Sequence, residues 1–361
     1  MAATIQDLLW LLFMEGPGIG HRTAMKCYKQ WEDPLKIWQA GVAAWKEAGL
    51  SEGIIRYLEK GPALEDARKR AAAWEQQGIT LLSISSELYP AHLRSIFDPP
   101  PVLFALGDTA LLSAPMMAVV GARRCSSYGE QAASYIGAGL ARRGYAVISG
   151  MAAGIDAAAH QGALKAGGRT VAVMGCGIDV CYPPENLKLW REIRETGLIL
   201  AEHEPGVRPQ AGFFPQRNRI ISGLSRGVIV VEAGEKSGSL ITADLALEQG
   251  RSVYAVPGSF FSLKCRGTHA LVRDSAAALL VDLGDIEPAE NGIPCSQAEP
   301  DKAEPKSEEE RAVLRKIAPE GTAIEELLSV QSDIASLQRT LSMLELYGFI
   351  RQGADHKWVP A

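Results

Sequence analysis

The stretch that decides the fold begins with Val119-Val120-Gly121-Ala122-Arg123-Arg124 and Ser149-Gly150-Met151-Ala152-Ala153-Gly154-Ile155-Asp156. Three further motifs follow it, Gly175-Cys176-Gly177, Phe213-Phe214-Pro215-Gln216-Arg217-Asn218-Arg219 and Ser237-Gly238-Ser239-Leu240-Ile241-Thr242. Four of the five are rich in glycine or serine, and most stand where a predicted strand passes into a helix. Backbone N–H groups and helix N-termini gather at such points of an open α/β sheet, so the series predicts a long anion-binding edge.

Around these motifs, residues 78–287 alternate short apolar runs with helical segments. The runs are bounded by Gly, Pro or Ser, which is typical of buried parallel strands. We predict strands at Thr80–Ile84, Val102–Ala105, Met116–Val120, Ala146–Ser149, Thr170–Met174, Leu198–Ala201, Val228–Val231 and Val253–Val256. Helices are expected near 129–143, 155–166, 186–195 and 239–249. The alternation predicts an α/β fold with right-handed βαβ units and an extended Rossmann-like parallel sheet.

Two smaller modules flank this domain. Residues 1–77 are predicted to be helical, and Gly16-Pro17-Gly18-Ile19-Gly20 separates the first two helices. That turn is interpreted as a plain turn of a small bundle (SAM-like), with a phosphate-binding helix-hairpin-helix as the alternative. Residues 288–307 have the composition of a linker. Residues 308–361 predict three helices and a two-stranded wing, but Arg339 is the only basic residue of the third helix, which favours a protein-contact role over duplex reading.

Composition and charge restrict the function. The net charge is −5, yet residues 115–260 hold 15 Lys and Arg against 12 Asp and Glu, so any binding surface for an anionic partner is expected in the middle. The six cysteines form no Cys-x-x-Cys pair and the six histidines no metal-binding spacing. We therefore expect no metal, no disulfide and no cofactor. No apolar run reaches about 18 residues, so a cytoplasmic protein without a membrane span is expected.

The strand-to-helix turns supply the candidate phosphate contacts. Glycines let a backbone approach a phosphate closely, and an arginine can bind one with two N–H groups. On this basis the candidates of the first three motifs are Gly121, Arg123, Gly150, Gly154, Gly175 and Gly177. Asp156 is interpreted as a helix cap and not as a catalytic group.

The last two motifs add an aromatic ring and a helix N-terminus. Phe214 can stack a base while Arg217, Asn218 and Arg219 hold phosphates on either side, with one of the rings of Phe213 and Phe214 in the core. At the last motif, the helix N-terminus, the candidate anion ligands are Lys236, Ser237, Gly238, Ser239 and Thr242. The order of a Walker A loop is absent, so ATP hydrolysis is not predicted.

The whole set of motifs resembles the DprA/Smf family of DNA-processing proteins. The resemblance includes Tyr182-Pro183-Pro184-Glu185-Asn186, Arg217-Asn218-Arg219-Ile220-Ile221-Ser222-Gly223 and Ala255-Val256-Pro257-Gly258-Ser259. It implies a non-enzymatic single-stranded DNA-binding recombination mediator of natural transformation, which protects incoming strands and loads the RecA recombinase onto them. It also implies DNA contacts by Arg123, Phe214, Arg217, Arg219 and the Ser237–Ser239 loop, and a homodimer interface near His269, Leu271 and Val272.

Two departures and two alternatives accompany this resemblance. The family often has a basic residue where this chain has Ala153, and Asp274-Ser275-Ala276 replaces its usual acidic-Gly-Ala. The alternative activity is that of a LOG-type nucleotide phosphoribohydrolase on a related fold. Its catalytic glutamate would align with Thr242, which cannot ionise to stabilise an oxocarbenium-like transition state. A nucleotide-binding module is the remaining alternative.

Overall fold

The computed structural model describes residues 2–295, 307–318, 321–331, 333–346, 349–353 and 357–360. Internal contacts divide the chain into two compact units, residues 1–297 and residues 298–361. The helical domain predicted for 1–77 and the α/β domain predicted for 78–287 therefore form one unit. Of the linker predicted for 288–307, residues 296–306 lie outside the described part.

The first unit begins with six helices, α1 (Ile5–Met14), α2 (His21–Trp31), α3 (Pro34–Gln39), α4 (Gly41–Glu47), α5 (Glu52–Glu59) and α6 (Leu64–Gln76). A capping box between Thr4 and Asp7 starts α1. Asp7 also accepts a hydrogen bond from the Ser83 backbone N–H at 2.8 Å, and the Trp10 indole donates to Ser85 Oγ at 2.8 Å. The helices thus share a core with the sheet and do not form a separate domain.

A nine-stranded sheet forms the centre of this unit. Its strands are β1 (Ile79–Ser83), β2 (Val102–Gly107), β3 (Met116–Val120), β4 (Ala146–Ser149), β5 (Thr170–Gly177), β6 (Leu198–His203), β7 (Gly227–Val230), β8 (Ser252–Ala255) and β9 (Ala278–Leu279). The order is β1-β2-β6-β5-β4-β3-β7-β8-β9. The strands from β3 to β9 pair in parallel, as predicted. The pairs β1–β2 and β2–β6 are antiparallel, and β9 was not predicted.

Helices cover both faces of the sheet, as in a doubly wound fold. They are α7 (Ala91–Arg94), α8 (Ser127–Arg142), α9 (Ile155–Lys165), α10 (Leu187–Thr196), α11 (Phe213–Leu224), α12 (Gly238–Glu248) and α13 (Arg266–Arg273). Along β3, Met117 and Val119 join the core beneath α8 and α9, whereas Ala118 and Val120 join the core shared with α10, α11 and the N-terminal helices. This alternation follows the two-residue period of a strand.

The second unit has the predicted winged-helix elements. They are α14 (Glu308–Lys316), α15 (Ile324–Leu327), α16 (Ile334–Leu346) and the antiparallel pair β10 (Ile350–Gln352) and β11 (Trp358–Pro360). Val313, Leu327, Leu341 and Trp358 are among the residues of its own small core. In both units, no helix of the described residues is long and apolar enough to cross a membrane.

Candidate nucleic-acid interface

A cleft of about 480 Å³ opens at the carboxyl ends of the parallel strands. Its wall includes Gly121 after β3, Asp156 after β4 and Ser237 after β7. From β3 the chain continues to β4 on one side, while β7 pairs on the other side. The cleft therefore lies at the switch point of the sheet, where open α/β folds bind their ligands.

Nine of the residues predicted from sequence line this cleft. They are Gly121, Arg123, Phe214, Arg217, Asn218, Ser237, Gly238, Ser239 and Thr242. Tyr182 also lines it, although the sequence analysis did not select it as a binding residue. Lys236 is exposed on the loop that carries Ser237 and is not part of the lining.

Stacked rings and a guanidinium form one wall of the cleft. The ring of Phe214 lies 5.3 Å from that of Tyr182, with 36° between the planes, and the Arg123 guanidinium carbon lies 5.4 Å from the Phe214 ring centroid. Phe213 stacks instead on His203, at 3.9 Å between centroids. Both phenylalanines are half-buried, so the prediction that one ring enters the core is wrong.

Helix α11 explains why only part of its motif faces the cleft. Residues three and four apart share a helix face, whereas residues two apart point to nearly opposite sides. Phe214, Arg217 and Asn218 fit the first spacing, and all three line the cleft. Arg219, two residues after Arg217, is directed elsewhere.

The structure corrects the prediction for Arg219. Its side chain is only 5% exposed, and it donates from Nη1 and Nη2 to the Glu202 carboxylate at 2.9 and 2.6 Å. The remaining N–H groups bond Asp98 O, Gln216 O and the His21 ring. All five donors of the guanidinium are therefore occupied within the protein, and none is left for a phosphate. Arg219 joins the N-terminal helices to α11.

Arg217 forms the buried floor of the cleft. It donates from Nη1 to Gly150 O at 2.7 Å and to Val173 O. Burial lowers the pKa of Arg217 to about 10, and the nearby Asp156 charge opposes this change. Asp156 in turn accepts from the backbone N–H groups of Gly150 (3.2 Å) and Ala152 (3.3 Å). Asp156 thus stabilises the turn after β4 that contains Gly150 and Gly154. Burial raises the pKa of Asp156.

Most of the predicted glycines make room for the protein and not for a ligand. A Cβ at Gly150 would lie 2.4 Å from the Arg217 guanidinium, and one at Gly175 would lie 2.8 Å from the Phe214 ring. A Cβ at Gly154, where φ is +79°, would lie 2.5 Å from neighbouring backbone, and one at Gly177 would lie 2.6 Å from it. Among the five predicted glycines of the first three motifs, only Gly121 belongs to the lining. The others act indirectly, by allowing the cleft residues to take their positions.

The N-terminus of α12 forms the opposite wall. Ser237 caps this helix: its Oγ accepts from the Ser239 N–H at 3.4 Å and lies 2.8 Å from Ser239 Oγ. A Cβ at Gly238 would meet no atom within 4 Å, so this position opens into free space. Backbone N–H groups and the positive end of the helix dipole favour an anion here.

The residues predicted for a dimer interface lie on or beside α13. Leu271 is 8% exposed and packs into the chain's own core, so the structure corrects its assignment to a partner surface. Val272 is half-buried, and the half-buried His269 ring bonds Gly258 O at 3.2 Å. At the same end of the sheet, Leu279 and Val281 are 46% and 74% exposed. Ser275 adopts a φ of +56°, which glycine adopts without strain.

Comparison with known proteins identifies the family. The family model described as DNA recombination-mediator protein A matches residues 80–288, and the DprA winged helix domain matches residues 297–356. This chain belongs to the DNA recombination-mediator protein A family. The resemblance inferred from the motifs is thereby confirmed.

Relatives within the DprA/Smf family cover most of the chain. DNA processing protein DprA of Bacillus subtilis is 46% identical over 235 residues, which is 65% of this chain and 77% of the relative. Protein Smf of Synechocystis is 35% identical over 283 residues, 77% of this chain and 71% of the relative.

Two solved structures are similar. Streptococcus pneumoniae DprA has a TM-score of 0.62 and 34% identity, covering 79% of this chain and 98% of that one. Helicobacter pylori DprA, whose structure is described as showing a single-stranded DNA binding mode, has a TM-score of 0.53 and 33% identity, covering 57% and 93%.

Proposed function

We propose that this chain binds single-stranded DNA in the cleft between Arg123, Phe214 and the N-terminus of α12. As a recombination mediator it would protect incoming strands during natural transformation and load the RecA recombinase onto them. The observation that carries the binding proposal is the Arg123–Phe214–Tyr182 group. Family membership and the single-stranded DNA binding described for the H. pylori relative support it.

The chemistry of the cleft suits an unpaired strand. An unstacked base can lie against Phe214 or Tyr182, while Arg123 and the N–H groups near Ser237 take the flanking phosphates. In a duplex the bases are already stacked on each other, and their faces are not available to these rings. We therefore expect the chain to prefer single strands.

A hydrolase is the less suitable alternative. Asp156 is the one carboxylate among the residues that line the cleft, and it is held by the N–H groups of Gly150 and Ala152. Thr242, in the position of the LOG-type glutamate, is buried and cannot ionise. We accordingly propose a binding protein and not an enzyme.

We further propose that the chain forms a homodimer through the end of the sheet near His269 and Val272. The two-residue strand β9 ends the described sheet, and Leu279 and Val281 expose apolar surface beside it. The winged-helix unit is proposed to contact protein, because helix α16 carries a single basic residue, Arg339.

The change Phe214→Ala tests the binding proposal. We expect it to weaken binding of an oligothymidylate by about 1–3 kcal/mol, or roughly 5-fold to 150-fold, because one base loses its stacking partner. Phe97→Ala removes a ring that is 88% exposed and outside the cleft lining, and serves as the control. Equal affinities of both variants in fluorescence anisotropy would contradict the proposed site.

A further inference from the structure

Two adjacent aromatic side chains are exposed to solvent on the segment between β8 and α13. Phe260 is 85% exposed and Phe261 is 90% exposed, and their rings meet edge to face at 5.5 Å between centroids. Neither residue lines the cleft. Phenylalanine is normally buried on folding, because each ring removes a large apolar area from water. Two fully displayed rings side by side therefore indicate a contact surface.

The segment that carries these rings is anchored on both sides. The Tyr128 hydroxyl donates to Pro257 O at 2.8 Å, and the His269 ring bonds Gly258 O at 3.2 Å. After the rings, Lys264 Nζ donates to Cys125 O at 3.0 Å, and the buried Cys265 precedes α13. The two rings are thus presented by a loop whose ends are fixed to the fold.

The anchors place this loop beside the cleft. Cys125 directly follows Arg123-Arg124, the turn after β3 that contributes Arg123 to the cleft. Leu263 packs close to Gly234, on the loop that leads to Ser237: a Cβ at Gly234 would lie 3.5 Å from Leu263 O. The loop after β8 therefore contacts the turns after β3 and β7. All three lie at the carboxyl edge of the sheet.

Exposed basic side chains lie on this loop and on the two turns that it contacts. Arg124, Lys236 and Lys264 are exposed and form no ion pair among the described residues, whereas Arg266 pairs with Glu235 at 3.4 Å. The polar residues Ser259 and Ser262 flank the two rings in the sequence. Exposed aromatic rings can stack the bases of a single strand, and lysine and arginine side chains on the same surface can bind its phosphates. A protein interface would need a wider apolar centre, on about 800 Å² per partner.

We propose that Phe260 and Phe261 form a second stacking site, which binds bases of a single strand where it leaves the Arg123–Phe214 cleft toward β8. This inference rests on the proposed function. It extends the binding path beyond the cleft, with phosphates held by Arg124 and Lys264. A strand long enough to reach the loop gains affinity there, and a short strand that fills only the cleft does not.

The test compares two strand lengths on the full chain. Oligothymidylates of about 6 and about 20 nucleotides, one near the lower end of the usual site size and one above it, are titrated against wild type and F260A/F261A. We expect the double variant to bind the long strand about 5-fold to 150-fold more weakly and the short strand unchanged. The loss should be the same at every salt concentration, because stacking releases no counterions.

Two control variants separate the possible results. F260Y/F261Y keeps the ring faces and should restore binding of the long strand, whereas F260L/F261L keeps apolar bulk and should not. If F260A/F261A and F260L/F261L bind the long strand like wild type, the second site is wrong while the cleft proposal stands. If wild type binds neither strand, both proposals are wrong. If F260A/F261A instead lowers self-association in sedimentation, with DNA binding unchanged, the loop contacts a second copy and the inference is overturned.

Discussion

The replacement Arg123→Ala tests how the cleft holds a phosphate. A hydrogen-bonded contact between charged groups is worth about 1.5–3 kcal/mol. In the free protein the Arg123 guanidinium carbon already lies 5.4 Å from the Phe214 ring centroid, a contact worth about 0.5–1 kcal/mol at an exposed site. Because this contact is given up when the side chain turns to a phosphate, we expect a net loss of about 1–2 kcal/mol at low salt.

The salt dependence gives a sharper result than the affinity alone. Each phosphate contact on a single strand contributes about 0.7 to the slope of log K against log salt. Removing one contact should reduce the slope by that amount. Between about 50 and about 200 mM salt, the ratio of wild-type to variant affinity should then fall about 2.6-fold.

Arg142→Ala is the matched control for this measurement. Arg142 is exposed in the last turn of α8, far along the helix from the turn that carries Arg123, and its removal changes the net charge equally. Fluorescence anisotropy across a salt series measures both slopes. If Arg123→Ala and Arg142→Ala give the same slope, Arg123 holds no phosphate and the reasoning is refuted.

Three further predictions concern stability. Gly150→Ala would place a Cβ 2.4 Å from the Arg217 guanidinium, so urea unfolding should show a loss of about 1–3 kcal/mol in the free energy of unfolding. Gly238→Ala, whose Cβ would meet no atom within 4 Å, should be tolerated. Equal stability of the two variants would contradict the packing argument. Arg219→Met should destabilise the fold by about 3 kcal/mol. This is the lower end of the range for a broken buried ion pair, because Glu202 keeps 13% exposure and lies 3.3 Å from His21. The variant should leave the salt dependence of DNA binding unchanged, and a reduced slope would show that Arg219 contacts phosphate. Burial and the nearby Arg217 charge lower the pKa of His160 from 6.5 to about 3, so between these pH values the unfolded chain takes up a proton that the folded chain does not. The contribution of His160 to the free energy of unfolding should be complete above pH 6.5 and fall toward pH 3 by up to about 1.4 kcal/mol per pH unit. An equally steep loss of stability with falling pH in a His160→Gln variant would exclude this cause.

The sequence predicted the strands of the sheet better than their directions. Met116–Val120 and Ala146–Ser149 have the predicted bounds, because each is a short apolar run ended by Pro, Gly or a helix signal. The antiparallel pairing of β1 and β2 was missed, since strand–helix alternation was taken to hold throughout. The connection between them has only the four-residue helix α7, whereas a parallel crossover usually runs through a full α-helix.

The candidate site was predicted by residue type but not by direction. Arg217 and Arg219 were assigned the same role because the helix α11 was not predicted. Once these residues are helical, the spacing of two separates their side chains, and Arg219 meets Glu202, which is distant in sequence. Tyr182 was missed because its contact with Phe214 joins the loop after β5 to helix α11, which only the fold brings together.

Preferential binding of single-stranded DNA is tested most directly by a competition measurement on the purified full chain. A labelled oligothymidylate of about 20 nucleotides is bound at about 50 mM salt and challenged with unlabelled single strand or with duplex of equal length. We expect single strand to displace the label at a much lower concentration than duplex does, and binding to weaken as salt rises. Equal displacement by the duplex, or no binding at low salt, would contradict this expectation.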